Sequence, residues 1–400
     1  MSTIQRFALV AAVAALCACD GGKEKDAKGA APAAKNGAAP PAAAPAEAND
    51  RAKLVAAYDK GLDFLASKQQ DGIWSVQGKP HAGFTAMSIT PFIDRPGGVR
   101  EKDKALVAKT LPWIASQLGD DGGVKAEFTS NYETSVVVMA LAASKDPAYK
   151  DSVAKAAAFL KGLQYSDPQH PSYGGIGYGD DGPRSDLSNT QYALAALDAA
   201  GVPKDDPLYQ KALAFLSRVQ NRKENETPGE PTEFKDEQGN KVVRGNDGGA
   251  VYYPGESKAG YETLPDGTKV QLSYGSMTYA LLRCFHLAGL PASDGRVKAA
   301  TDWIAKHWAV DRNPGMPEAQ KRDGYFYYLA TLGKTLPLVG MDKIKTGDGK
   351  DVDWRAAVSA ALLAEQKPDG MWQNPGPRWM ESDPVLATGY ALAALGACVR

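Results

Sequence analysis

Four hundred residues are enough for two or three average domains. Lys and Arg number 46 against 47 Asp and Glu, a net charge of −1, which excludes the basic surface that a nucleic-acid partner requires. Hydrophobic residues at 44% are too many for a disordered chain, and four Cys, two of them within the first 19 residues, are too few for a disulfide scaffold.

The N-terminus reads as an address. Arg6 supplies a small positive region, Phe7 to Ala15 is an apolar run too short to span a bilayer, and small residues follow, as secretory processing requires. Leu16-Cys-Ala-Cys19 resembles the bacterial lipobox, whose last Cys becomes the lipidated first residue. That resemblance implies removal of residues 1–18, acylation of Cys19 and a membrane partner through this anchor. It places the rest of the chain in the cell envelope, facing the periplasm or the exterior. Residues 19–50 carry Ala-Pro tracts such as Ala38-Ala-Pro-Pro-Ala-Ala-Ala-Pro45 and no apolar period. Such a tether reaches roughly 30 Å as a coil and ~90 Å when extended.

From residue 51 to residue 400 one pattern recurs six times. A short box closes an amphipathic stretch at Phe64–Gln69, Trp113–Leu118, Phe159–Gln164, Phe215–Gln220, Trp303–Trp308 and Ala361–Gln366. A Gly turn follows each: Asp71-Gly-Ile-Trp74, Asp121-Gly-Gly123, Tyr173-Gly-Gly-Ile-Gly-Tyr178, Asp247-Gly-Gly-Ala-Val-Tyr252, Asp323-Gly-Tyr325 and Asp369-Gly-Met-Trp372. A second, more apolar helix then begins near Phe84, Tyr132, Asn189, Ser276, Tyr325 and Ala387. These helices are apolar around most of their circumference, so they belong inside; the first helix of each pair keeps a charged face and belongs outside. Six such hairpins make two concentric rings or an open solenoid. Closure is favoured, because Ala391 to Val399 is as apolar as any inner helix and leaves no polar end cap. The expected class is all-α, an (α/α)6 toroid.

Gln366-Lys-Pro-Asp-Gly-Met-Trp372 fits the Gln-x-x-x-Gly-x-Trp repeat of triterpene cyclases, and Gln69-Gln-Asp-Gly-Ile-Trp74 is one residue shorter. The chain therefore resembles the terpenoid cyclase and protein prenyltransferase superfamily over about residues 51–400. The repeat has a structural job of its own: Gln bonds a frayed helix end and Trp lids the hairpin.

The resemblance fails at the chemistry. Class II cyclases carry Asp-x-Asp-Asp-Thr at the start of an inner helix, and the middle Asp protonates an alkene. Here the segment is Asp186-Leu-Ser-Asn-Thr190, which puts Ser188 at the donor position. A hydroxyl is far too weak an acid for that step. Asp186 or Ser188 then reads as a helix cap, with Asp186 and Asp180 the remaining candidates for an acid. The prenyltransferase zinc ligands are also missing from Gln271 to Ser276. Cys284 and His286 lie about 200° apart on a helix, so they do not share a metal. No motif calls for a cofactor or a metal.

The turns gather acids, Glu133, Asp180, Asp181, Asp186, Asp247, Glu256, Glu381 and Asp383, and aromatics, Tyr173, Tyr178, Tyr252, Tyr253, Tyr274, Tyr325, Tyr327, Trp372 and Trp379. Such a rim suits an apolar or a carbohydrate ligand. Asp186, Asn189, Thr190, Tyr178, Tyr252, Tyr325 and Trp372 are the residues expected to contact it. A polar insertion, 221–273, carries hairpin-like pieces at Phe234–Val243 and Tyr261–Gln271 and is either a flap over the cavity or decoration. Two functions remain open. One is a ligand- or protein-binding toroid with a degenerate cyclase motif. The other is an enzyme acting on a terpenoid lipid or on a glycan, for which paired carboxylates would be required.

Overall fold

The computed structural model describes residues 48–399 except 127–128, 180–183, 227–232, 237–238 and 377. Cys19, residues 20–47 of the tether, Asp180 and Asp181 lie outside the described residues, and the last three residues assigned to the tether, 48–50, already belong to the first helix. Twelve α-helices alternate along them. The outer set is α1 (Ala48–Ser67), α3 (Lys104–Ser116), α5 (Lys150–Gly162), α7 (Pro207–Val219), α9 (Gly295–Lys306) and α11 (Trp354–Glu365). The inner set is α2 (Ala82–Ile93), α4 (Ser130–Ser144), α6 (Leu187–Ala199), α8 (Gly275–Leu287), α10 (Tyr325–Thr335) and α12 (Pro384–Val399).

Each inner helix packs on the next, and α12 returns to α2, so the ring is closed. The toroid read from the repeats is the fold observed. The inner helices are buried nearly all round, α6 without a break from Leu187 to Leu197, whereas α5 buries only Val153, Ala156, Ala157 and Leu160. An apolar circumference thus goes inside and an apolar stripe goes to the interface between the rings.

The Gly turns tie neighbouring hairpins. Gln164 Nε2 donates to Gly174 O in its own turn and to Leu208 O at the start of α7, both at 2.9 Å. Gln220 makes the same pair of bonds to Gly248 O and Arg296 O. Gln366 makes it to Gly370 O and Ala57 O, at 3.0 and 2.8 Å, across the seam where the ring closes. The Gln therefore bridges two hairpins rather than capping its own helix. The helix end is satisfied by the Trp: the indoles of Trp74 and Trp372 donate to Leu65 O and Leu362 O. Gly370 has φ +93°, and a Cβ there would lie 2.3 Å from Lys60 O on α1, so only glycine fits the seam.

A threonine in the second half-turn of five inner helices completes the repeat. Thr85, Thr134, Thr190, Thr278 and Thr388 each accept from the backbone N–H just after the preceding Gly turn. In α10 the place is taken by Tyr328, whose hydroxyl donates to Ala309 O.

The insertion forms a four-stranded sheet, order β3-β4-β6-β5, from β3 (Glu233–Lys235), β4 (Lys241–Val243), β5 (Tyr261–Thr263) and β6 (Lys269–Gln271). Two antiparallel hairpins are joined by a parallel β4–β6 pair. Two-stranded ribbons, β1 (Ser75–Val76) with β2 (Lys79–Pro80) and β7 (Lys343–Lys345) with β8 (Asp351–Asp353), decorate the ring. Cys284 on α8 and Cys398 on α12 are free thiols. Burial pushes both up to about 12, so neither is a ready nucleophile.

Candidate functional site

Because every hairpin runs the same way, all six inner helices present their N-termini to one mouth of the ring. Each N-terminus carries unpaired N–H groups and a partial positive charge, and acids collect there to meet them. Asp186 is the N-cap of α6. Its Oδ1 accepts from Asn189 N and its Oδ2 from Asn189 Nδ2, both at 2.8 Å. Tyr252 also donates to it, and burial raises its pKa to about 6 against these bonds. Glu133 accepts from Gly83 N at the start of α2. Asp383 caps α12 through Val385 N and Leu386 N. Glu381 serves α10 from outside it: Oε1 accepts from Tyr327 N at 2.7 Å, and Oε2 accepts from Phe326 N and from Asn374 Nδ2. Glu381 is fully buried, and that burial raises its pKa to about 7. Of the remaining turn acids, Glu256 pairs with Arg184 and Lys258, and Asp247 accepts from Ser273 and Trp303. The acidic turns are thus mainly helix caps and ion pairs.

Between these N-termini lies a small pocket lined by Ser188, Tyr252, Lys258, Tyr274, Ser276, Met277, Tyr327, Trp379, Glu381 and Tyr390. The centre of a water-sized sphere can occupy about 40 Å³ of it, room for on the order of three waters. The Ser188 hydroxyl lies 3.0 Å from the Tyr327 hydroxyl. Below the pocket a layer of tyrosines fills the bore. Tyr327 stacks on Tyr192 at 6.5 Å between ring centroids and meets Tyr390 edge-on at 5.7 Å, and Tyr192 meets Tyr132 at 4.7 Å.

The loop before α12 carries two of the lining groups, Trp379 and Glu381, on a strained backbone. Trp379 and Met380 both have left-handed backbones, φ 56° and 59°, which non-glycine residues rarely adopt. The loop is held by Arg378 to Asp323 at 3.0 Å, by Asn374 Nδ2 to Arg322 O, and by the Glu381 carboxylate on α10. The insertion supplies the opposite wall. Leu187 N donates to Tyr252 O, and Lys258 lies over the Tyr252 ring at 4.7 Å.

Of the residues expected to contact a ligand, Tyr252 lines the pocket and Tyr178 stands behind it, its hydroxyl 3.1 Å from that of Tyr252. Asp186 and Asn189 are buried in the cap of α6, one layer from the pocket. Three others are elsewhere. Thr190 is fully buried and bonded to Ile176 N, Ile176 O and Asp186 O. Tyr325 is in the core, its hydroxyl spent on Val310 O. Trp372 is buried in the seam over Leu362. Lys258, Ser276, Met277 and Tyr390 are pocket residues that the turn-by-turn reading did not single out. Tyr390 sits two turns into α12 and Lys258 in a polar loop, where neither motif nor period marks them.

This architecture is that of the terpenoid-cyclase-like α/α toroids. No family model matches the chain. Among curated proteins, the squalene–hopene cyclase of Bradyrhizobium diazoefficiens is 28% identical over a 209-residue alignment, which takes in 42% of this chain. The match spans only 31% of that relative's length. Among solved structures, the type II terpene cyclase MstE from Scytonema without ligand aligns with TM-score 0.52 and 14% identity, over 88% of this chain and 99% of that one. A variant of MstE in complex with merosterolic acid A aligns over the same shares with TM-score 0.54 and 13% identity. A protein from Actinoplanes aligns with TM-score 0.51 and 15% identity, over 87% of this chain and 100% of that one. At these identities the likeness is one of fold.

Proposed function

We propose that the protein is a lipid-anchored envelope protein that binds a small apolar or sugar group in the aromatic pocket without cyclising it. The observation that carries this reading is Ser188, which faces the pocket at the proton-donor position and is engaged with the Tyr327 hydroxyl. Asp186, the nearest acid in the motif, is committed to the cap of α6. The pocket walls, Tyr252, Tyr274, Tyr327 and Trp379, offer ring faces for stacking against a sugar or an apolar end group.

Trp379 gives a direct readout, since it lines the pocket in a chain with seven Trp. Titration of the full chain with small sugars and with short isoprenols is expected to change its fluorescence for one of the two classes. The Trp379→Phe variant is expected to lose that change, and a silent titration with both classes counts against the reading. The anchor has a separate test. Cys19→Ser is expected to move the protein from the membrane fraction to the soluble one, and unchanged membrane association would reject lipidation at Cys19.

A second reading, an enzyme on a terpenoid or a glycan, has one specific observation in its favour. Glu381 is a buried acid in an aromatic pocket with its pKa raised to about 7, the profile of a general acid. Under that reading Glu381→Gln abolishes turnover of whichever ligand is found.

A further inference from the structure

The opposite mouth of the ring holds a second and larger cavity. It lies among the C-terminal ends of the inner helices, reached by Asp94 after α2, Ala143 of α4, Asp198 of α6, Leu287 of α8, Lys334 of α10 and Ala397 of α12. By the same water-sized measure it offers about 360 Å³, nine times the volume of the first pocket. Tyr390 borders both, so the tyrosine layer separates them.

The lining is mostly apolar, yet it contains two cations on helices that are otherwise buried. Arg283 on α8 and Lys334 on α10 both enter the cavity. Among the described residues neither forms an ion pair or a hydrogen bond, and the Arg283 Nε is buried without a partner. Lys334 is exposed and Arg283 is half-buried. The protein packed around Lys334 and then the neighbouring Arg283 pull it down to about 8 although its side chain is exposed, and desolvation lowers Arg283 as well. Lys334 stays mainly protonated at neutral pH and a guanidinium does not lose its proton in proteins, so two like charges line one cavity.

The other charged groups there do not neutralise them directly. Asp198 is paired with Lys204 at 2.5 Å. Arg355 bonds Asp342 at 3.0 Å and lies over Trp354. Asp94 attracts Lys334 only at longer range. Cations near helix C-termini do complement the helix dipole. Lys334, in the last turn of α10, does so, whereas Arg283 lies before the last turn of α8 and its Nε has no partner. Two like charges lining one cavity repel each other, and the Arg283 Nε is buried without a partner; an anion that arrives from outside would relieve both.

We propose that this cavity is a binding site for an amphiphilic anion. Arg283 and Lys334 hold its carboxylate or phosphate head, and its apolar body lies along Met87, Met139, Leu338 and Leu392. The planar guanidinium suits a two-oxygen head, and the ammonium adds a point charge. The site is separate from the aromatic pocket and stands whether or not that pocket binds anything.

The test uses the full chain carrying Cys19→Ser, so that no acyl chain of its own competes, with dodecanoate, dodecanol and inorganic phosphate as probes in calorimetric titrations. Dodecanoate is expected to bind at least tenfold more tightly than dodecanol and than phosphate. Arg283→Gln and Lys334→Met should each weaken dodecanoate at least tenfold and leave dodecanol unchanged. Melting temperatures guard against a purely structural role. Without ligand, Lys334→Met should melt no lower than the parent, because it relieves a like-charge repulsion, and it should lose the rise that dodecanoate gives the parent. Dodecanol binding as tightly as dodecanoate would overturn the proposal, as would phosphate binding as tightly. So would a Lys334→Met variant that melts lower without ligand, since the lysine would then be serving the fold.

Discussion

Squalene, or a geranylgeranyl polyene, incubated with the purified full chain is expected to be recovered unchanged, with no cyclic product by gas chromatography. Protonating an alkene needs a strong acid facing a dry cavity that holds the polyene in a folded form. Ser188 is not such an acid, and its hydroxyl is held by Tyr327. The pocket beneath it has room for on the order of three waters, not for a polyene. Ser188→Asp is expected to yield no product either. The new carboxylate would replace a hydroxyl already paired with Tyr327, and the second Asp of the motif would still be Asn189, bonded to Asp186. Aromatic rings able to stabilise a cation are present, so they are not what is missing. Cyclic product from the unmodified chain would mean that another group supplies the proton. Glu381 and Asp186 would then be replaced first, and the binding-protein reading would fall.

The second large effect is on stability against pH. The Glu381 pKa is raised from 4.5 to about 7, and that of Asp186 from 3.8 to about 6, in both cases by burial. Between their unfolded and folded values the native state holds more protons than the unfolded state. Their contribution is therefore fully present in acid and is lost as pH rises from about 4 to about 7. For Glu381 alone the loss is about 3 kcal/mol. His286 and His307, both lowered by burial, act in the opposite direction over part of this window. Carboxylates held low, such as Asp236 and Asp348, are ionised in both states above pH 5 and drop out. A comparison of urea unfolding at pH 5 and pH 8 for the parent and for Glu381→Gln cancels the histidine effect. The parent is expected to lose on the order of 2–3 kcal/mol more than the variant between the two pH values. Equal losses would show that Glu381 is ionised throughout and serves as a charged cap of α10.

How far the sequence foretold these features depends on what each residue's role requires. The ring was legible because its parts repeat. A box, a Gly turn and an apolar helix occurring six times define two rings, and the apolar end of α12 implied closure. The recurrent Thr is equally visible in the inner-helix segments, but at Thr190 the cyclase-like motif masks its place in that series. The phase of a helix was not legible. In the run Tyr325-Phe-Tyr-Tyr328 the first and last rings turn to the carbonyls of Val310 and Ala309, and only Tyr327 reaches the bore. Trp372 and Trp379 are seven residues apart and look alike in sequence. One closes a hairpin under its own helix, and the other is swung into the pocket by two left-handed residues that no motif announces. Arg283 and Lys334 were the plainest overlooked signal, two cations on helices otherwise built to be buried.

The bridging glutamine also makes the covalent order of the hairpins incidental to the circle they form. Gln366 makes between the last hairpin and the first the same two bonds that Gln164 and Gln220 make between hairpins linked by the chain. The gap between α12 and α1 is therefore one junction among six, sealed without a peptide connection. A polypeptide that began at another turn and was joined across this gap would present the same inner and outer contacts. It would close its circle at a different place, as a circular permutant of the same molecule.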